Sequence, residues 1–143
     1  MNTIGKLAAI GALLLATQAA SAATAAGTWK TIDDESKQPK SLVEISEAGN
    51  GELTGKVVKL FNNPDAVCDK CDGGLKGKPI VGMTIMTGLK KDGENWDNGK
   101  IVDPKSGKVY SVKAKLVDGG KKLEVHGYIG FSLLGRTQVW ERQ

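Results

Sequence analysis

The chain has 143 residues, 25% of them charged and 5% aromatic, with a formal net charge of +4. That length supports one domain core and not two. The lysines are scattered and not gathered into a stripe interleaved with aromatics, which excludes a nucleic-acid-binding face.

Residues 1–22 read as a cleavable signal peptide. Lys6 supplies the positive start, Leu7 to Ala16 an apolar core, and Ala20-Ser21-Ala22 an A-x-A cleavage site. That core falls short of the roughly 20 apolar residues a membrane-spanning helix requires, and no later segment approaches it, so no membrane span is expected. The expected product is a periplasmic domain over residues 23–143.

From residue 27 onward helical periodicity is missing, and period-2 segments recur between turn residues. They predict eight strands: Gly27 to Ile32, Ser41 to Glu47, Glu52 to Leu60, Val81 to Leu89, Trp96 to Asp103, Val109 to Val117, Lys122 to Ile129, and Arg136 to Arg142. In the sixth, Tyr110, Val112, Ala114 and Leu116 share one face. In the seventh, Leu123, Val125, Gly127 and Ile129 do so, opposite Lys122, Glu124, His126 and Tyr128. Gly49-Asn50-Gly51, Asp92-Gly93 and Asp118-Gly119-Gly120 offer the positive φ of tight hairpins. Sequential antiparallel strands of this number escape exposed edges by closing, which predicts an all-β, eight-stranded up-and-down barrel.

In such a barrel the loops divide unequally. The short hairpins and both chain ends share one rim, while Asp33 to Lys40, Phe61 to Ile80, Pro104 to Lys108 and Gly130 to Gly135 share the other. Functional residues concentrate on long loops held by a rigid scaffold, so a mouth is expected at the second rim. Phe61, Tyr110, Phe131, Leu133 and Arg136 are its candidate ligand-binding residues, with Arg136 able to pair with a carboxylate head group while the aromatics and leucines cover a tail. Alternatively these apolar residues merely cap a filled barrel.

Gly27-x-Trp29 at the start of the first strand resembles the calycin, or lipocalin-like, arrangement. That resemblance implies that Trp29 plugs the closed end and that a basic residue of the last strand packs over its ring. Antiparallel pairing of the first and last strands makes Arg142 that partner, with Arg136 at the opposite end. Over nearly all of residues 23–143 there is a closer likeness. Trp29, Cys68-x-x-Cys71, the run from Trp96-x-x-Gly99-x-Ile101-x-Asp103-Pro104 through Gly107-x-x-Tyr110, and Gly135-Arg136-x-Gln138-x-Trp140 resemble a family of small exported bacterial proteins known only as a domain of unknown function. The resemblance implies a lipocalin-like barrel and a periplasmic location, and brings no catalytic residues with it.

Cys68 and Cys71 are the entire thiol content, and in an oxidising compartment a pair at this spacing reads as a local disulfide. A thioredoxin-type redox role would need a stabilised thiolate, and Asp65, Asp69 and Asp72 oppose one. A metal site would need further nitrogen or sulfur ligands, whereas His126 is the single histidine and has outward parity. Asp72 after the second cysteine excludes c-type haem attachment. Asp33, Asp34 and Glu35 could supply paired carboxylates but read as a solvated turn, and Asp103 to Gly107 reads as a turn with too few oxygens for calcium. No cofactor, no metal and no catalytic set is expected. The sequence reads as a binder of a small, largely apolar molecule that can be acidic. The alternatives are a protein-interaction or envelope-maintenance module and, with Cys68 and Cys71 reactive, a thiol–disulfide redox protein.

Overall fold

Eight antiparallel strands follow one another in chain order and close into a barrel: β1 (Gly27–Ile32), β2 (Pro39–Glu47), β3 (Leu53–Leu60), β4 (Thr84–Asp92), β5 (Asn95–Val102), β6 (Val109–Val117), β7 (Lys122–Tyr128) and β8 (Arg136–Arg142). This computed structural model describes residue 11 and residues 24–143. The expected signal peptide, residues 1–22, lies outside the described residues except for residue 11. Closure is made by β1 against β8, which pairs Trp29 with Arg142 and Lys30 with Glu141. No strand is left with an unpaired edge, and the eight-stranded up-and-down barrel expected from the alternation is the fold. Among the described residues no helix is long and apolar enough to cross a membrane.

Several element boundaries depart from the pattern: β2 begins at Pro39, β4 runs on to Asp92, β3 starts one residue later and β5 shifts by one residue, and the start of β4 and the end of β7 change which residues reach the rim. Val81 to Met83 was expected to open β4, yet regular pairing begins only at Thr84, opposite Lys56. Gly82 turns the chain at φ 94°, although its N–H still reaches Val57 O at 2.7 Å and Val57 N–H reaches Met83 O at 2.9 Å. Ile129 was expected to end the inner face of β7; instead β7 stops at Tyr128 and Ile129 stands exposed. Its inner neighbour Gly127 is the last residue of β7 to pair with β8, after which Gly130 at φ 82° carries the chain outward.

Alternation buries one face of each strand. Trp29, Val43, Ile45, Leu53, Val57, Met86, Leu89, Trp96, Val112, Leu123, Val125 and Trp140 fill the lumen toward the end that holds the short hairpins. The indole N–H of Trp29 donates to Ala25 O at 2.8 Å, whereas that of Trp96 is buried without a partner. Inward glycines are not voids. At Gly99 a Cβ would come within 2.6 Å of Leu89 Cγ and 2.9 Å of Val112 Cγ1, and at Gly55 within 3.1 Å of Met86 Cε. Glycine there admits a neighbour's larger side chain, as close packing requires. Trp96 and Gly99 both face inward although three residues apart. The β5–β6 register shifts between them, and Asn98 absorbs the extra residue at φ 60°, a bulge.

Candidate functional site

The connections at 33–38, 61–83, 103–108 and 129–135 gather at one rim, where the large indoles give way to smaller and polar side chains. Thr31 and Ser41 are buried there and share a hydrogen bond of 2.6 Å. Tyr110 faces inward in register with Ile101 and packs near Gly127.

The chemistry of the rim comes from β8. Its sequence Arg136-Thr137-Gln138-Val139-Trp140-Glu141-Arg142 places Arg136, Gln138, Trp140 and Arg142 on the inner parity, in a row from mouth to base. Buried Trp140 donates its Nε1–H to Gln138 Oε1 at 3.2 Å. The Gln138 amide in turn donates Nε2–H to Asp34 Oδ2 at 3.0 Å. Arg136 Nε lies 3.2 Å from the same carboxylate oxygen. Two donors from β8 thus converge on one oxygen supplied by the β1–β2 turn.

That turn is locally determined. Asp33 Oδ1 accepts the backbone N–H of Ser36 at 2.8 Å and of Glu35 at 3.1 Å, an Asx arrangement. Asp33 N–H donates to Gln38 O and Lys37 N–H to Asp33 O, each at 2.9 Å. Above all, the backbone N–H of Ser36 holds the Asp33 carboxyl below its ordinary value of 3.8.

Cys68 and Cys71 form a disulfide inside the long β3–β4 connection. Both are buried, at 0% and 2% exposure. Cys68 Sγ lies 3.2 Å from Pro104 O, Val67 bridges Pro79, and Cys68 N–H donates to Lys78 O at 2.8 Å. The 103–108 turn closes against this loop so tightly that a Cβ at Gly107 would collide with the Lys70 carbonyl. A thiol–disulfide enzyme must present one sulfur to its partner, and neither is presented here. The loop is pinned against the 103–108 turn.

The five candidate ligand-binding residues do not share one surface. Arg136 and Tyr110 have inner parity at the rim. Phe131 and Leu133 lie on the β7–β8 loop and are 77% and 96% exposed, with Leu134 exposed beside them. Phe61 sits apart, with β1 and β2 between it and that loop, its ring 4.9 Å from Lys59 Nζ. The β7–β8 loop is held outward by His126. On that ring Nε2 lies 2.7 Å from Ser132 O and 3.0 Å from Leu134 O, and Nδ1 lies 2.8 Å from Thr137 Oγ1. Asp34, Gln138 and His126 are not among the five ligand-binding candidates; from the sequence Asp34 is weighed only as one of three carboxylates of a solvated turn and His126 only as a metal ligand. For Gln138 the signal was present, since it alternates with Arg136 and Trp140.

Two grooves lie outside the lumen. One of about 460 Å³ is lined by Leu75, Pro79, Val81 and Met83, and one of about 200 Å³ by Leu75, Ile85, Val102 and Val109. Among the described residues no group of three or more His, Cys, Asp or Glu side chains could hold a metal ion.

The opposite end is sealed. The Arg142 guanidinium lies 4.3 Å from the Trp29 ring centroid and donates to Gly120 O, Ala26 O and Thr24 O at 2.8, 2.9 and 2.7 Å. Lys91 Nζ lies 5.3 Å from the Trp96 ring.

Among solved structures, HP1028 from Helicobacter pylori, described as belonging to the lipocalin family, has a TM-score of 0.72 to this chain, covering 82% of each at 20% sequence identity. At that identity the likeness establishes the barrel fold alone. No significant match is found among curated proteins. The family described as an uncharacterized protein conserved in bacteria, DUF2147, matches residues 27–142, from the first residue of β1 to the last of β8, and the chain belongs to that family.

Proposed function

We propose that this is an exported, periplasmic protein that binds a small, largely apolar molecule with an acidic head group at the barrel mouth and does not transform it. One observation carries the reading: Arg136 and Gln138 aim two donors at a single carboxylate oxygen, and the connection that leads into their strand carries the exposed apolar side chains of Phe131, Leu133 and Leu134. A few convergent polar groups bordered by apolar surface are the usual make-up of a small-ligand site. On this reading the head group sits at the rim, because the lumen is filled by side chains, and the tail lies along the β7–β8 loop and not down the barrel axis. The leader-like residues 1–22 support export. Mass spectrometry of organic extracts from natively purified protein, with displacement of a fluorescent apolar dye, tests the reading. Recovery of an amphipathic acid that competes with the dye is the expected result. Repeated absence of any bound molecule, together with no dye displacement by long-chain acids, refutes it.

The second reading, an interaction module, is favoured by the same loop. His126 ties two of its carbonyls, so the loop presents Leu133 as a fixed protrusion. Crosslinking in cells separates the two readings: a protein adduct lost on trimming 131–134, with dye binding unchanged, favours interaction.

A further inference from the structure

We propose that Asp34 is a built-in occupant of the ligand's carboxylate site, so that the β1–β2 turn competes with the acidic ligand for Arg136 and Gln138. This rests on the binding reading above and adds a competitor and its regulation.

Gln138 is oriented. Its Oε1 accepts the N–H of fully buried Trp140, which directs its NH₂ toward the rim. Beside it stands the Arg136 guanidinium, largely exposed and meeting Asp34 through Nε. An oriented amide next to a guanidinium fork is a cradle for one planar carboxylate, since charge-assisted donors select an ionised acceptor. The carboxylate now in it comes from a turn 104 residues away in sequence. Asp33 stiffens that turn through the N–H groups of Glu35 and Ser36, so Asp34 is presented at the rim as a tethered anion.

Replacing Asp34 by a ligand carboxylate exchanges one anion for another and releases the half-buried Asp34 to water. The exchange conserves charge within the cradle. Its cost is the loss of the tethered contact, and exposed ion pairs of this kind are weak. The tether therefore reduces apparent affinity by the fraction of time the cradle is free, without blocking the site. A weak pair implies a reduction of about threefold to tenfold. The site favours amphipathic monocarboxylates, and neutral apolar molecules gain nothing from displacing Asp34.

The test uses dodecanoate and dodecan-1-ol as probes, titrated calorimetrically into the purified protein and into Asp34→Asn, with Asp34→Ser as a second variant should the first fold poorly. Dodecanoate is expected to bind both variants about threefold to tenfold more tightly than the parent, while dodecan-1-ol changes less than twofold. Adding Arg136→Gln to Asp34→Asn is expected to erase the gain. Unchanged or weaker dodecanoate binding by Asp34→Asn, with the parent binding normally, overturns the competitor and leaves the binding reading standing. An equal gain for dodecan-1-ol makes the turn a steric lid and also overturns it. Failure of parent and variants alike to bind dodecanoate removes both readings.

Discussion

Removing the guanidinium at the base of the barrel should cost about 3 kcal/mol of stability, as its contacts imply. Arg142 joins three separate pieces of backbone: the lead-in to β1 through Thr24 and Ala26, the β6–β7 turn through Gly120, and β8 itself. The contact to Thr24 is exposed, so water can replace it and it is discounted. The two partly buried bonds contribute about 1 kcal/mol each, the central value for an intramolecular hydrogen bond and below the range for charged donors because both are only partly buried, and the Trp29 face about 1 kcal/mol more. Arg142→Met keeps the apolar stem and loses all of these. Its thermal midpoint is expected to fall by about 12 °C, taking roughly 4 °C per kcal/mol for a domain of this size. Arg142→Lys, which keeps the charge but cannot span separated carbonyls, should lose about half as much. Urea unfolding followed by tryptophan fluorescence measures both, and a cycle with Trp29→Phe isolates the ring contact. A loss below about 0.5 kcal/mol for Arg142→Met would mean that water satisfies these carbonyls equally well, and the closure argument would be wrong.

The disulfide closes a loop of sequence separation 3, for which chain entropy predicts about 2 kcal/mol. The Cys68→Ala, Cys71→Ala double variant should lose that amount, with new hydrogen exchange confined to 61–83 and 103–108; exchange spreading through the barrel would show that the disulfide supports the barrel and not this loop alone. The reduced protein should not catalyse insulin reduction, because neither sulfur is accessible, and turnover above the small-thiol background would reverse that conclusion. Asp33 has a folded pKa below 3.8. Its contribution to the β1–β2 turn is therefore fully present above 3.8 and is lost as pH falls through the lower folded value. In an NMR titration its carboxyl midpoint should fall below 3.8, with the Glu35 and Ser36 amide signals moving at the same pH. A midpoint at or above 3.8 would show that the turn is open in solution.

The sequence discloses the barrel wherever strict alternation coincides with apolar-in, polar-out chemistry. β6 and β7 pair residue for residue from Ser111–Tyr128 to Val117–Lys122 without a shift, so period 2 suffices for both. It fails at β5, where Trp96 and Gly99 share a face only because Asn98 takes a left-handed conformation, and at 61–83, where the order comes from a disulfide and cross-loop hydrogen bonds instead of from periodicity. The site is hidden by the rule that exposes the fold. Apolar loop residues suggest a lining, yet Phe131 and Leu133 stand outside the barrel because glycines at 130 and 135, both at positive φ, reverse the chain and His126 holds it outward. Gln138 and Arg136 occupy inner parity where the rule expects apolar residues. A half-buried polar group on the inner face, as Gln138 is, incurs a desolvation cost unless it has a partner, and its partner is an acid from the far end of the chain that the exposed Arg136 also meets. Polar exceptions to a strand's inner parity are therefore a better guide to the mouth of this barrel than the hydrophobicity of its loops.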